Sequence, residues 1–376
     1  MPQQRRRVCF VLPSLNGGGA ERAAVQILNG LDPEHWERSM FLFAREGPYL
    51  SEVAVDVRVD AADVASRTGR WHALRRHVRD RRPDLVMAFL SYFSVLTAVR
   101  AANTGARVAF NQQTPMSEFL TDADYHWRRH WHKAAFSVVT RIGYGAVDLV
   151  IATSRGVARD LTKSFGVDPA RIAVLPNPVD LDRVRLSMAE PIDPQWLAPG
   201  AGPLVVAAGR LADAKNYPLL IDAFALLCKH RPARLWILGQ GEREGALRQR
   251  IADRGLTNVV TLLGFQPNPW KFIARADVFV LTSRYEGFGN VLIEAMACGV
   301  PVVATASPGT IDIVSHDVDG VLVQTHDADS VAAAMRRVLD PSTRARLAGG
   351  ARRSAARFGL PIAIERYEAV LGGMLT

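Results

Sequence analysis

Short apolar, β-branched runs alternate along this chain with longer stretches of helical spacing, and the alternation repeats about a dozen times. In the first half "RVCFVLP", "SMFLFA", "DLVMAF", "RVAFN" and "DLVIATS" read as strands. The spacing predicts helices over Ala20–Asn29, Phe93–Ala102, Tyr125–Gly143 and Gly156–Phe165. The pattern then lapses: Pro176–Pro203 carries six prolines and two glycines without sustained periodicity, as a linker does. It resumes with "LVVAAGR", "RLWILG", "NVVTLLG", "DVFVLTS", "PVVATA" and "GVLVQ", each followed by helix-like sequence. The predicted fold class is α/β: two Rossmann-like domains, residues 1–180 and 203–356, joined by a linker over 181–202, with parallel sheets facing across a cleft. Open parallel sheets bind ligands beyond the carboxyl ends of their strands, so candidate chemistry belongs to the residues just after each strand.

A length of 376 residues agrees with two domains. A composition of 48% hydrophobic and 22% charged residues excludes a disordered or fibrous chain. No uncharged apolar run reaches the roughly 18 residues of a membrane-spanning helix. The start "MPQQRRRVCFVLPSL" enters a strand instead of a signal-peptide core, so the expected location is the cytoplasm. Cys9, Cys228 and Cys298, set among apolar residues without metal spacing, are expected to be buried reduced thiols. The net charge of +9 changes the picture more, because such a surface attracts polyanions. Arginines crowd at Arg67, Arg70, Arg75, Arg76, Arg79, Arg81 and Arg82, and "YHWRRHWHK", Tyr125–Lys133, mixes cations with aromatics. Two readings stand: a solvated helix face, or a patch for an anionic membrane surface or anionic substrate.

Behind the first strand, "LNGGGAERA" offers three glycines and a helix N-terminus to an anion. It is neither a nucleotide P-loop nor a dinucleotide fingerprint, because Glu21 and Arg22 stand where those motifs need other residues. In "LGQGEREG", Leu238–Gly245, the third glycine is late and Glu242 and Glu244 would repel a pyrophosphate, which leaves a strand-to-helix turn. "AAGRLADAKN" places Arg210 and Lys215 past a strand end, a pair able to grip both phosphates of a diphosphate. In "RYEGFGNVLIEAMACGVP", two glutamates stand eight positions apart. On one helix they would be rotated by roughly 80°, a poor geometry for an acid and base flanking one bond. Gly287 and Gly289 instead predict a loop carrying Glu286 and a helix from Asn290 to Gly299, with Glu294 a turn down it. A diphosphate would cap that helix while the two glutamates take hydroxyls on either side of it. A nucleotide sugar has this shape.

"RYEGFGNVLIEAMACGVPVVAT" resembles the Glu-x7-Glu segment of family 4 retaining glycosyltransferases. The resemblance runs in order through "NGGGAER", "ATSRGV", "PNPVD", "AGRL…K" and "GF", and covers most of the chain. It implies the GT-B architecture, no essential metal, and a nucleotide-sugar donor, here a UDP-sugar, as co-substrate with no cofactor. By motif, Glu286 would hold the donor sugar, Glu294 the ribose diol, and Arg210 with Lys215 the diphosphate. The backbone of Gly287, Phe288, Gly289 and Asn290 would join the phosphate grip, Gly264 and Phe265 would flank the base, and Gly18 and Gly19 would close from the other domain. Residues 357–376 would form a last helix crossing back to the N-terminal domain. The implied acceptor is a glycan or polyprenyl-linked glycan of surface polysaccharide assembly, with no nucleic-acid partner.

Departures accompany the likeness. Many relatives carry a histidine where this chain has Asn111, Gln112 and Gln113, and "SPGTIDIV" lacks the usual second glycine and glutamate. Asp-x-Asp pairs at Asp122/Asp124, Asp317/Asp319 and Asp327/Asp329 read as caps and turns, not metal ligands. His126, His130 and His132 lack a carboxylate at metalloprotease spacing and read as a helix surface. Two rival functions are a sugar-nucleotide epimerase on the same architecture and a non-enzymatic polyanion-binding protein.

Overall fold

The computed structural model describes residues 5–16, 18–90, 92–121, 130–193 and 202–375, without the side chains of residues 119–121 and 130–137. Thus Gly17, Tyr125–Arg129 and the first Asp-x-Asp pair lie outside the described residues. Two compact units emerge: one holds residues up to 120, then 130–179 and 360–375, and the other holds chiefly 180–359.

The first unit is built on seven parallel strands: β1 (Arg6–Leu12), β2 (Trp36–Leu42), β3 (Arg58–Ala61), β4 (Leu85–Ala88), β5 (Arg107–Gln112), β6 (Leu149–Ala152) and β7 (Ile172–Val174). Their order is β3-β2-β1-β4-β5-β6-β7. The helices of this stretch are α1 (Gly19–Gly30), α2 (Arg67–Arg81), α3 (Tyr92–Ala102), α4 (Met116–Thr121), α5 (His130–Ala146) and α6 (Arg155–Phe165). Alternate residues of β1 enter two different cores: Cys9 and Val11 join one, and Val8, Phe10 and Leu12 the other. Burial of both faces is why such strands read as continuous apolar runs.

The second unit carries six parallel strands: β8 (Leu204–Ala208), β9 (Arg234–Leu238), β10 (Val260–Gly264), β11 (Val278–Leu281), β12 (Val302–Thr305) and β13 (Gly320–Val323). Their order is β10-β9-β8-β11-β12-β13. Around them run α7 (Leu181–Ser187), α8 (Tyr217–Cys228), α9 (Glu244–Asp253), α10 (Trp270–Ile273), α11 (Asn290–Ala297), α12 (Thr310–Ile313), α13 (Ala328–Val338) and α14 (Pro341–Ala355). In both sheets the strand order reverses beside the first strand of the unit, at β1/β4 and at β8/β11. The loops after those strands diverge there and leave a crevice at the carboxyl ends.

Differences from the sequence reading have local causes. The strands β3 and β7 carry no fully buried residue and lie at the two edges of their sheet, so no apolar run announces them. The linker stretch contains α7, capped by the Asp180 carboxylate, which accepts from the Arg183 N–H at 2.9 Å, and it belongs to the second unit. The last helix, α15 (Leu360–Gly373), begins at Leu360, because Ala356–Phe358 form a separate 3-10 turn in the second unit. The α2 helix buries only Leu74, His77 and Val78. Arg67, Arg76, Arg79, Arg81 and Arg82 are exposed, while Arg75 donates to the Ala101 carbonyl.

The first unit closes on α15. Ile364, Tyr367 and Leu371 share a core with Ala24, Ile27 and Leu28 of α1. The Asn111 amide of β5 donates to the Tyr367 hydroxyl at 3.1 Å in a fully buried setting. Replacing Tyr367 with Phe removes that acceptor and is expected to cost about 1–2 kcal/mol. Leu371→Ala opens a cavity worth about 2–5 kcal/mol. Denaturant midpoints should fall in that order with unchanged slopes, and an unchanged midpoint for Leu371→Ala would contradict the anchoring role of α15.

Candidate functional site

The loops after β8 and β11 flank the reversal point of the second sheet, and half of the predicted residues lie on them, with Asn290 and Glu294 on the helix that follows. After β8, a 3-10 turn over Asp213–Lys215 is pinned from its far side, where Arg243 pairs with the Asp213 carboxylate. Lys215 points to the neighbouring loop and donates to Oε1 of Glu286 at 2.5 Å; their side chains are 23% and 11% exposed. The Ser283 hydroxyl donates to the same oxygen at 2.6 Å. No described side chain donates to Oε2 of Glu286, so one carboxylate oxygen stays available for hydroxyl donors. Behind the pair, the buried Tyr217 hydroxyl donates to the Gly209 carbonyl at 3.1 Å. Burial and then the Glu286 charge raise its pKa, so the phenol stays neutral.

The α11 helix begins where the sequence placed it. Gly289, at φ +98°, precedes Asn290, and the turn at Gly299, at φ +76°, follows the C-cap Cys298. Only glycine takes φ +98° without strain, which lets the chain enter a helix directly from the Glu286 loop. Glu294 lies a turn along α11 and is 8% exposed. Burial, and after it the Glu294 charge, push the Cys298 thiol up to about 12, so Cys298 is an unreactive packing residue. Gly239 ends β9 so close to β8 that a Cβ there would lie 2.0 Å from the Gly209 carbonyl oxygen. The floor between these strand ends is therefore bare backbone.

Arg210 lies two residues past the end of β8, is exposed, and forms no ion pair with a described residue. Gly264 ends β10, and the Phe265 ring beside it is 56% exposed. Gly18 and Gly19 belong to the first unit, where Gly18 is the N-cap of α1 and Gly19 its first residue. The Glu21 carboxylate folds back over that end, within 2.2 Å of where a Gly18 Cβ would stand, and burial raises its pKa. Asn111 and Gln112 are buried at the end of β5, with Gln113 bonded to Asn111 and to Asn177. Of the Asp-x-Asp pairs, Asp327 caps α13 by accepting from the Ser330 N–H, and Asp317 pairs with Arg337. Among the described residues, no group of three or more His, Cys, Asp or Glu side chains is arranged to hold a metal ion. Nor is any described helix long and apolar enough to cross a membrane.

Sequence reading missed Ser283, Tyr217 and Arg243. Ser283 stands two residues past β11, which is a usable signal, and Tyr217 opens α8 after the Lys215 turn; Arg243 lies in the glycine-rich strand-to-helix turn, which does lead into α9.

Residues 17–183 match the family described as Glycosyltransferase Family 4, and residues 189–354 match Glycosyl transferases group 1. The chain belongs to glycosyltransferase family 4. It is 30% identical over 226 residues to a Campylobacter jejuni enzyme, the N-acetylgalactosamine-N,N'-diacetylbacillosaminyl-diphospho-undecaprenol 4-alpha-N-acetylgalactosaminyltransferase, covering 60% of each protein. It is 36% identical over 151 residues to the Rhizobium meliloti lipopolysaccharide core biosynthesis glycosyltransferase LpsE, covering 40% of this chain and 44% of that one. The chain thus spans about half the length of these relatives. The crystal structure of Anabaena HepE in complex with UDP-glucose superposes with a TM-score of 0.81 at 22% identity, over 98% of this chain and 99% of that one. At that identity the likeness establishes the fold, which is GT-B with two Rossmann-like units.

Gly289→Ala in this family 4 chain should cost about 1–3 kcal/mol through strain at its positive φ. Thermal unfolding reads it: a melting temperature equal to wild type would mean that the loop enters α11 by another path.

Proposed function

We propose that the chain transfers a sugar from a UDP-sugar to a glycan or polyprenyl-linked acceptor with retention of configuration, in the assembly of surface polysaccharide or glycoconjugate. One observation carries the reading: Lys215 and Glu286 stand paired beside the N-terminus of α11. A cation for a diphosphate adjoins a carboxylate for hydroxyls, as the diphosphate of a nucleotide sugar adjoins its sugar. Arg210, Lys215 and the backbone N–H groups of Phe288–Asn290 then hold the diphosphate. Oε2 of Glu286 accepts from the sugar, Glu294 from the ribose, and Gly264 and Phe265 flank the base.

In the reaction, the bond between the anomeric carbon and the diphosphate oxygen breaks and that oxygen takes the acceptor's proton. The acceptor oxygen forms its bond on the same face. Lys215, Arg210 and the positive end of α11 neutralise the leaving charge, so the step is proposed to need no metal ion. The Campylobacter relative, by its name, acts on a diphospho-undecaprenol-linked glycan, which supports a lipid-linked acceptor here. A membrane-surface location of the first unit is supported by the exposed arginines of α2 and by exposed Phe93, Val138, Val139 and Ile142 on α3 and α5. "YHWRRHWHK" offers its remaining support from sequence alone, since its side chains are outside the described set.

A panel of UDP-, GDP- and ADP-sugars assayed with EDTA tests the donor and the metal together. Turnover of a UDP-sugar with EDTA present is expected, and an absolute need for Mn²⁺ or Mg²⁺ would refute the neutralising role of the two cations. Product from the donor without any acceptor, other than hydrolysis, would favour an epimerase. Glu294→Ala is expected to weaken UDP binding about tenfold, while Glu286→Ala, which also releases Lys215 from its ion pair, weakens UDP binding less and lowers turnover by about a hundredfold. Equal losses of UDP affinity in both would overturn the assignment. For the membrane, co-sedimentation with anionic vesicles at low salt should weaken when Arg67, Arg76 and Arg79 become Gln; binding that ignores the substitutions, or is absent in wild type, removes that part of the proposal.

A further inference from the structure

The Phe288 ring, in the loop between Glu286 and α11, is 3% exposed. Its partner is far away in sequence: Phe358, 7% exposed, meets it edge to face, with ring centres 5.6 Å apart and planes at 72°. Phe358 stands in the 3-10 turn Ala356–Phe358, the last piece of the second unit before α15. Its neighbour Arg357 holds this turn in place. The Arg357 guanidinium lies 5.3 Å over the Phe358 ring, donates to the Ile313 carbonyl at the end of α12 at 3.3 Å, and approaches the fully buried Asp319 carboxylate at 3.9 Å. The α12 segment is in turn tied to the same loop, since the Gly309 N–H donates to the Glu286 carbonyl at 3.0 Å. Loop, α12 and turn therefore brace one another. Of the three, only the turn lies outside the strand ends where a ligand would bind.

We propose that Phe358 is a positioning residue for the anion-binding loop, holding the backbone of Gly287–Asn290 through the Phe288 ring. The inference rests on the nucleotide reading for what the loop binds, but not for the bracing itself. Aromatic pairs of this geometry add a directional preference to plain burial, so loss of the edge contact loosens the loop beyond Glu286, where glycines at 287 and 289 leave the backbone most free to move. The backbone groups so placed would meet the β-phosphate of a nucleoside diphosphate, whereas a ribose contact from Glu294 comes from within α11 and does not depend on the loop. The same short turn continues into α15, whose Tyr367 accepts from Asn111, so one stretch of chain braces the loop at one end and the β5 amides at the other.

The test uses the full chain with Phe358→Ala, Phe358→Tyr, and Leu347→Ala as a control that opens the second unit's core at a distance in sequence from the loop. Hydrogen exchange without ligand is followed in peptides covering Arg284–Leu292 and Ser307–Ile313, which contain the Leu292 and Gly309 amides bonded to loop carbonyls. In Phe358→Ala these amides should exchange about tenfold faster or more, with Phe279 of β11 unchanged. UDP affinity should fall about tenfold and UMP affinity by less than about twofold. Phe358→Tyr should restore both, and Leu347→Ala should alter neither ratio. Unchanged loop exchange, or equal losses for UDP and UMP, would overturn the proposal. If Phe358→Ala does not fold, Phe358→Leu, which keeps volume and loses the ring edge, is read by the same criteria. Absence of UDP binding in the wild type would refute the nucleotide reading alone, and the exchange result would then decide the positioning role by itself.

Discussion

The ion pair between Lys215 and Glu286 joins the loops after β8 and β11, and the geometry of the candidate site depends on it. Parallel strands at a reversal point send their following helices to opposite faces, so their loops separate unless something spans the gap. Here a charged hydrogen bond spans it, between groups 23% and 11% exposed. Removing either partner leaves the other charge largely desolvated, which costs more than the pair contributes when intact. The pair therefore fixes the loops and also sets a condition on any ligand. A bare anion that draws Lys215 away leaves Glu286 with the Ser283 hydroxyl alone; a ligand carrying a diphosphate and hydroxyls together compensates both charges. Discrimination of this kind works through the unpaired group left by the wrong ligand.

Around that contact, the structure spends side chains sparingly. Gly209, Gly239 and Gly264 end three adjacent strands, and the Gly239 backbone is too near Gly209 to admit a side chain. Specificity in this region has to come from backbone groups and from the few side chains on the loops beside it. Arg243 supports one loop through Asp213, and Phe358 supports the other through Phe288.

How much of this could be read from sequence follows from the range of each interaction. All six strands of the second unit and the start of α11 were legible, because two-sided burial and helix-breaking glycines leave local marks. Glu286, Glu294, Arg210 and Lys215 were legible as candidates because they follow strand ends. By contrast, β3 and β7 are edge strands without an apolar run, and α7 lies between prolines with Val184 as its one buried residue. The Phe288–Phe358 contact joins residues whose local sequences carry no sign of each other, and Arg243 was hidden in a turn whose glycines suggested only a bend.

The β5 end of the first unit shows how three neighbouring amides are held. Asn111, Gln112 and Gln113 are not loose polar groups awaiting a ligand. Gln113 and Asn177 exchange two amide hydrogen bonds, Gln113 also donates to Asn111, the Gln112 amide donates to the Thr114 carbonyl, and Tyr144 donates to Gln112. Tyr367 closes the network from 256 residues away. Buried amides are tolerable only when so satisfied, which explains why α15 has to belong to this unit. A histidine in that position would titrate between about pH 5 and 8, but amides present fixed dipoles over the whole range. The three amides themselves therefore present whatever meets this end of β5 with dipoles that pH does not change, and any pH dependence of the chemistry has to arise from other groups.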